Sequence, residues 1–204
     1  MRRRPGRASR RVRVACLGDS ITFGQHLAER DAWPSVLAGL SGWETIGRGV
    51  CGDTTRLALE RLHRDALSLA PDVLVVQFGL NDCNRWDTDH GLPRVSVEAF
   101  EANLAEIVAK ARAAQVQTVC LVTLTPSTRQ SLDRPHRYSA AVRRVAYRRA
   151  LLFDAAEAIR PEHLLDGVHL NQAGHAAFAK GVQETLWAGQ RSSIRPRSSI
   201  PTSV

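Results

Sequence analysis

The stretch Gly18-Asp19-Ser20-Ile21-Thr22 follows an apolar run at residues 12–17 and precedes residues that favour a helix. An apolar run that ends in a small polar turn before a helix is typical of a strand-to-helix junction in an α/β fold. Such folds bind ligands beyond the carboxyl ends of their strands, where N–H groups at a helix start attract negative charge. We therefore interpret Ser20 as a nucleophile and expect other strand ends to supply its base and oxyanion donors.

Four further apolar segments alternate with helical patterns along the chain. The predicted strands after the first cover residues 43–46, 73–78, 116–124 and 150–154, and the clearest helices cover 98–114 and 172–187. This alternation predicts a three-layer α/β/α sandwich around a five-stranded parallel sheet. In the flavodoxin-like strand order 2-1-3-4-5, strands one and three are neighbours, so the order brings Ser20 and Asn81 together.

The net charge of +8 is concentrated at the two ends of the chain. Ten of the 28 basic residues lie in residues 1–13 and 189–204, which contain no acidic residue, so the rest of the chain is close to neutral. Segments that combine like charges with few apolar residues do not fold alone. We expect disordered tails at 1–11 and 188–204 and one folded domain at 12–187. Arginine tails can contact nucleic acid or acidic lipid, but a solvated tail is the simpler interpretation.

Location and cofactor use are predicted from missing signals. The apolar run at residues 12–17 is shorter than an export signal requires, so we expect a cytoplasmic protein. No run of 18 apolar residues occurs, and no lid or amphipathic anchor is evident, which argues against stable membrane insertion and against a membrane lipase. Because no cluster has metal-ligand spacing and no glycine loop has a phosphate-binding pattern, we expect no metal and no cofactor.

Among the seven histidines, His169 is the strongest candidate for the base. Asp166 stands three positions earlier in a tight Asp-Gly-Val-His turn, where its carboxylate can accept the Nδ1 proton and leave Nε2 to take the serine proton. His175 lies on the following helix and is interpreted as structural. Four others lack a comparable acid in the sequence, namely His26, His63, His136 and His163.

The oxyanion that develops during acyl transfer needs fixed hydrogen-bond donors. The candidates are the N–H of Ser20, the N–H of Gly52 and the side-chain amide of Asn81. A glycine allows the backbone to approach the substrate closely. Taken singly, Gly52 is equally typical of a helix entry, and Asn81 is equally typical of a turn after a strand. Their positions at successive strand ends, together with Ser20 and His169, favour the catalytic interpretation.

Four short blocks resemble those of the SGNH, or GDSL-type, hydrolases. They are, in order, Gly18-Asp19-Ser20-Ile21-Thr22, Gly52-Asp53-Thr54, Gly79-Leu80-Asn81-Asp82 and Asp166-Gly167-Val168-His169-Leu170-Asn171. The resemblance implies that Ser20 is the nucleophile, that His169 is the base oriented by Asp166, and that Ser20, Gly52 and Asn81 form the oxyanion hole. It also implies the family's fold and its metal-independent ester hydrolysis. Gly47 departs from the family pattern, since many members have Asn there.

We predict a serine hydrolase that cleaves small carboxylic esters, with short-chain acyl or O-acetyl groups, through an acyl-enzyme. Thioesterase or lysophospholipase activity at the same site is the nearest alternative. An alternative from another class is a fold-retaining protein that binds nucleic acid through its arginine tails. Trp86 and His90, on a long loop at residues 83–97, are candidate walls of the substrate pocket. Asp19 is a further pocket candidate, although its position favours a hydrogen bond that shapes the serine turn.

Overall fold

The structure is a computed structural model that describes residues 11–193, and it confirms the predicted α/β/α architecture. Five parallel strands form one sheet in the order β2-β1-β3-β4-β5, as predicted. The strands are β1 (Arg13–Gly18), β2 (Glu44–Gly49), β3 (Val73–Gln77), β4 (Thr118–Val122) and β5 (Leu151–Phe153).

Helices cover both faces of the sheet. They are α1 (Ser20–Phe23), α2 (Trp33–Ser41), α3 (Thr55–Asp65), α4 (Val97–Ala113), α5 (Pro135–Ala146), α6 (Ala155–Ala158) and α7 (Gln172–Ser193). Helices α2 and α7 pack together on one face, and α3, α4 and α5 pack in sequence on the other. Aromatic pairs lie in the two core layers: the ring centroids of Trp33 and Phe178 are 5.0 Å apart, and those of Phe100 and Tyr138 are 5.2 Å apart.

The sheet register aligns the ends of the three strands that precede the site. Gly18, the last residue of β1, is paired with Gly49 at the end of β2 and with Gln77 at the end of β3. The turns that follow these strands therefore meet at one edge of the sheet. This is where the sequence predicted Ser20 and its oxyanion donors.

Strand β2 is longer than predicted. The sequence was interpreted as a short strand at 43–46 followed by a glycine-rich loop, but Gly47 and Gly49 belong to β2 and pair with β1. Glycine has a low strand propensity, which made this segment resemble a loop. A Cβ at position 49 would overlap the backbone of Phe23, so the glycine allows α1 to lie directly against the end of β2.

The prediction of a disordered tail from residue 188 is wrong for residues 188–193, because α7 continues to Ser193. A Cβ at Gly189 would overlap the side chain of Leu151, so this last part of α7 packs closely against β5. The other tail residues, 1–10 and 194–204, lie outside the described residues. The short helix α6 was not predicted, and α3 ends at Asp65 before a separate 3-10 turn at Leu67–Leu69.

Across residues 11–193, none of the helices is both long and apolar enough to cross a lipid bilayer.

Candidate active site

Ser20 is the first residue of α1 and lies directly beyond β1. The preceding Asp19 caps the helix by accepting a hydrogen bond from the N–H of Ile21 at 3.0 Å. A Cβ at Gly18 would overlap the side chain of Thr22, so only glycine allows this tight a turn. Ser20 is 7% exposed, which leaves its hydroxyl in a largely water-excluded position at the sheet edge.

The structure brings His169 to Ser20 across 149 positions of sequence. The Nε2 atom of His169 lies 3.1 Å from the Ser20 Oγ, and the Nδ1 atom lies 2.7 Å from the Asp166 Oδ2. A ring that donates from Nδ1 to the carboxylate carries its lone pair on Nε2. His169 is therefore held in the tautomer that can accept the serine proton, and the predicted triad is assembled.

Asp166 is held by its own turn. Its Oδ1 accepts hydrogen bonds from the backbone N–H of Val168 at 3.0 Å and of His169 at 2.8 Å. The carbonyl of Gly167 accepts from the Ser127 hydroxyl and the Thr128 N–H, both at 2.9 Å, which fixes the turn to the loop after β4. Because Asp166 and His169 are only three positions apart, these contacts within the turn hold the acid and the base in a fixed arrangement.

The hydrogen bonds to Asp166 also fix its charge. Partial burial acts to raise its pKa, but the hydrogen bonds from the His169 ring and from the backbone N–H groups of His169 and Val168 outweigh it. The net effect lowers the pKa of Asp166 to about 2. Asp166 is therefore a carboxylate at neutral pH, and its position is suited to stabilise a positive charge on the His169 ring.

Three candidate donors follow the aligned ends of β1, β2 and β3, and none of them has a partner among the described residues. Within residues 11–193, neither the N–H of Ser20 nor the N–H of Gly52 donates a hydrogen bond, and the half-buried amide of Asn81 has no protein partner. Gly52 has a φ of 77°, a left-handed conformation that favours glycine. Free donors of this kind are able to bind an oxyanion, and the oxyanion-hole assignment stays a prediction.

Arg61 on α3 connects the serine turn to the turn that carries Gly52. Its guanidinium donates to the Asp53 carboxylate at 2.7 Å and to the carbonyl of Gly18 at 3.0 Å. It also donates to the carbonyl of Arg48 at 3.0 Å, and only 8% of Arg61 is exposed. Since Gly18 lies two residues before Ser20 and Asp53 directly follows Gly52, this buried arginine holds the two turns together.

Sequence analysis missed Arg61. The signal that could have revealed it is an arginine on the apolar face of α3, next to the buried Leu62 and one turn from the buried Ala58. Arginine is rarely buried unless its donors are paired, so its position on that face predicts a buried partner. The sequence did not show which carbonyls and carboxylate would be that partner.

The assignment of Asp19 to the substrate pocket is wrong, and its assignment to turn shaping is supported. Asp19 is 1% exposed, and its carboxylate faces the buried start of α1. Burial raises its pKa to about 7 against the hydrogen bond from Ile21, and the charges of Asp82 and Asp53 add to the increase. Burial likewise raises the pKa of Asp82 to about 6, although Thr55 donates to it.

The long loop reaches the site through Arg94 and not through the two predicted wall residues. Arg94 donates to the carbonyl of Gly52 at 2.8 Å, and its guanidinium stacks on the half-exposed Trp86 ring at 4.6 Å. In the described part of the chain, neither Trp86 nor His90 has a hydrogen bond, ion pair or ring contact with the triad. Trp86 is thus next to the oxyanion turn, whereas the structure does not bring His90 into the site.

Two other histidines lie near the site. His175 is buried and accepts a hydrogen bond from the Trp33 N–H at 3.1 Å, and burial lowers its pKa to about 4, which fits the predicted structural role. The prediction that His26 lacks a comparable acid is wrong. Its Nε2 lies 3.8 Å from the Asp166 Oδ2, and its ring packs edge-on against the His169 ring at 5.1 Å. This contact was not predicted because His26 and Asp166 are far apart in the sequence.

Comparison with known sequences gives a family match over most of the chain. Residues 16–177 match the GDSL-like lipase/acylhydrolase family. One relative, the uncharacterized lipoprotein YqeF of Bacillus subtilis, is 29% identical over 138 residues, which cover 63% of this chain and 56% of that protein. The mouse isoamyl acetate-hydrolyzing esterase 1 homolog is 31% identical over 120 residues, 56% of this chain and 47% of that protein.

A third relative, an acetylxylan esterase of Xylanibacter ruminicola, is 32% identical over 90 residues, which cover 39% of this chain and 19% of that protein. The chain therefore spans at most about half the length of the curated relatives it matches. Among solved structures, a G-D-S-L family lipolytic protein from Desulfitobacterium hafniense has the same fold, with a TM-score of 0.74 and 21% identity over 85% of this chain and 99% of that chain.

Proposed function

This chain belongs to the GDSL-like lipase/acylhydrolase family, and we propose that it hydrolyses small carboxylic esters through an acyl-enzyme on Ser20. One observation carries the proposal. Ser20, His169 and Asp166 form a continuous relay, with 3.1 Å between Oγ and Nε2 and 2.7 Å between Nδ1 and Oδ2. This relay is the arrangement by which a serine hydroxyl is deprotonated as it attacks a carbonyl carbon.

In the acylation step, the Ser20 Oγ bonds to the ester carbon while its proton moves to Nε2 of His169. The carbonyl oxygen becomes an oxyanion that the N–H groups of Ser20 and Gly52 and the amide of Asn81 would bind. The tetrahedral intermediate then collapses. His169 gives its proton to the departing alkoxide, so an alcohol leaves and the acyl group stays on Ser20.

Deacylation repeats these roles with water as the nucleophile. His169 removes a proton from the water as its oxygen attacks the acyl carbon, and it then returns that proton to the Ser20 Oγ as the acid leaves. Asp166, ionised throughout, stabilises the imidazolium in both steps. No step requires a metal or an organic cofactor.

We further propose that the acyl group is short, with acetyl as the best candidate. Two of the relatives are named for acetate or acetyl esters, the mouse isoamyl acetate-hydrolyzing esterase homolog and the acetylxylan esterase. The half-exposed Trp86 beside the oxyanion turn offers an apolar surface for the alcohol part of a substrate. The cytoplasmic location stays a prediction, which cell fractionation would test.

A panel of p-nitrophenyl esters with two, four and eight carbons tests both the reaction and the acyl length. We expect the highest kcat/KM on the acetate and a decline with chain length. Adding an acetyl thioester and a lysophospholipid to the panel separates the alternative activities. The Ser20→Ala variant should keep its circular dichroism spectrum and lose hydrolysis. Full activity in that variant would overturn the proposal.

A further inference from the structure

We propose that His26, Asp166 and His169 form a binding site for a divalent transition-metal ion such as Zn²⁺, and that the bound ion switches off the catalytic base. The donor atoms of the three residues all lie within 4.8 Å of one another. The Asp166 Oδ2 is 2.7 Å from Nδ1 of His169 and 3.8 Å from Nε2 of His26. The inhibitory part of this inference rests on the proposed function, whereas the binding part does not.

The donor set fits zinc better than magnesium or calcium. Two imidazole nitrogens and one carboxylate oxygen are typical zinc ligands, at about 2.0–2.2 Å from the ion, with a fourth position open to water. Tetrahedral ligands at that distance are about 3.3–3.5 Å apart. The 2.7 Å pair must therefore open and the 3.8 Å pair must close, each by less than about 1 Å. The imidazole nitrogens of His26 and His169 lie within 4.8 Å of each other and must close by up to about 1.5 Å.

Access and orientation also favour the site. The side chains of His26 and Asp166 are 47% and 40% exposed, so an ion can enter from solvent and keep a water ligand. The Gln25 side-chain nitrogen lies 3.4 Å from Nε2 of His26. An amide that donates there requires a lone pair on Nε2, and a metal ion would take that lone pair in place of this long contact. The backbone bonds to Asp166 Oδ1 hold that carboxylate in place while Oδ2 is used.

Metal binding would inhibit by changing the tautomer of His169. An ion on Nδ1 replaces the proton that this atom donates to Asp166; that proton passes to water, and Nε2 takes up a proton from water in turn. A neutral ring bound through Nδ1 carries its proton on Nε2, the atom that faces Ser20 at 3.1 Å. Nε2 then has no lone pair with which to accept the serine proton. Removal of the ion returns the proton to Nδ1 and restores the base, so the inhibition is reversible.

The first experiment measures p-nitrophenyl acetate hydrolysis against ZnCl₂ concentration in a non-coordinating buffer. We expect saturable inhibition that EDTA reverses and that Mg²⁺ does not cause, since Mg²⁺ prefers oxygen ligands. For His26→Gln, inhibition is measured relative to that variant's own rate without metal, and the Zn²⁺ concentration that gives half inhibition should rise by about tenfold or more. His63→Gln, at an exposed histidine on α3, is the matched control and should be inhibited like the wild type.

The second experiment separates the site from the proposed function. Zn²⁺ binding to Ser20→Ala is followed by titration calorimetry, so the result does not depend on ester hydrolysis. We expect one site per chain, lost in Ser20→Ala/His26→Gln and kept in Ser20→Ala/His63→Gln. Absence of binding, or equal binding in both double variants, would overturn the metal site even if the esterase is active. Binding by a chain that hydrolyses no ester would overturn only the proposed function.

Discussion

The two halves of the site are held in place by different kinds of contact. The serine half is buried, and Arg61 joins the carbonyl of Gly18 to the carboxylate of Asp53. The histidine half is a short turn in which Asp166 is 40% exposed and binds residues two and three positions away. One half therefore depends on contacts distant in sequence, and the other depends mainly on its own local geometry.

This difference separates two kinds of mutational effect. Removing a polar group from the exposed histidine turn leaves water to solvate its former partners, so catalysis should suffer more than folding. Removing the buried arginine leaves an uncompensated carboxylate and unpaired carbonyls, which is costly to the folded state. The predictions below test this contrast, from the largest expected loss of kcat to the smallest.

Asp166→Asn should lower kcat by roughly 10³–10⁴-fold, because an amide no longer fixes the Nδ1–H tautomer of His169 or stabilises the imidazolium. Its Oδ1 can still accept the two backbone bonds, so the midpoint of urea unfolding should change little. Steady-state kinetics and urea denaturation check both parts. If Asp166→Asn lost its activity because the protein unfolded, the histidine half would not differ from the serine half in its effect on stability.

Asn81→Ala should lower kcat by about 10²–10³-fold through loss of one oxyanion donor. The amide has no protein partner within the described residues, so stability should not fall. Asn84→Ala is the informative control, because Asn84 accepts a hydrogen bond from the Ser131 hydroxyl at 2.6 Å. That variant should lose stability and keep its rate. If the two asparagine variants behave alike, the oxyanion assignment of Asn81 fails.

Arg61→Met should destabilise the fold by about 3–5 kcal/mol, the typical cost of breaking a buried ion pair from one side. Under conditions in which the variant is still folded, kcat should fall by roughly tenfold, because the distance between Ser20 and Gly52 is then less well fixed, by a fraction of an ångström. Arg61→Lys keeps the charge but loses the forked geometry, so both effects should be intermediate. Normal stability in Arg61→Met would show that the buried network does not hold the serine half.

Asp19→Asn should change the pH dependence of stability and affect kcat least. A carboxyl whose pKa is raised to about 7 binds its proton more tightly in the folded state, so the free energy of unfolding falls as pH rises from about 4 to about 7. Asparagine has no such proton. The stability of the variant relative to the wild type should therefore rise across that interval, as urea denaturation at several pH values would show. A constant difference would contradict the raised pKa.

The same contrast explains what could be predicted from the sequence. The Asp166–His169 pair was recognisable because three positions of chain decide its geometry. The alignment of Ser20, Gly52 and Asn81 followed from strand order, a property of the whole pattern. Arg61 and His26 were missed because their partners are set by packing between segments distant in sequence. The extension of β2 was missed because a glycine-rich sequence is typical of a loop. Only the structure shows that Gly49 is needed in the strand so that α1 can pack against it.

The central claim is that Ser20 is the activated nucleophile of an acyl-enzyme mechanism. A fluorophosphonate reacts with such a serine and forms a stable covalent bond to its Oγ, which intact-mass and peptide mass spectrometry detect. We predict one adduct per chain, located on Ser20, strongly slowed in Asp166→Asn and absent in Ser20→Ala. An adduct on another residue, or ester hydrolysis by the folded protein without any adduct on Ser20, would contradict the account.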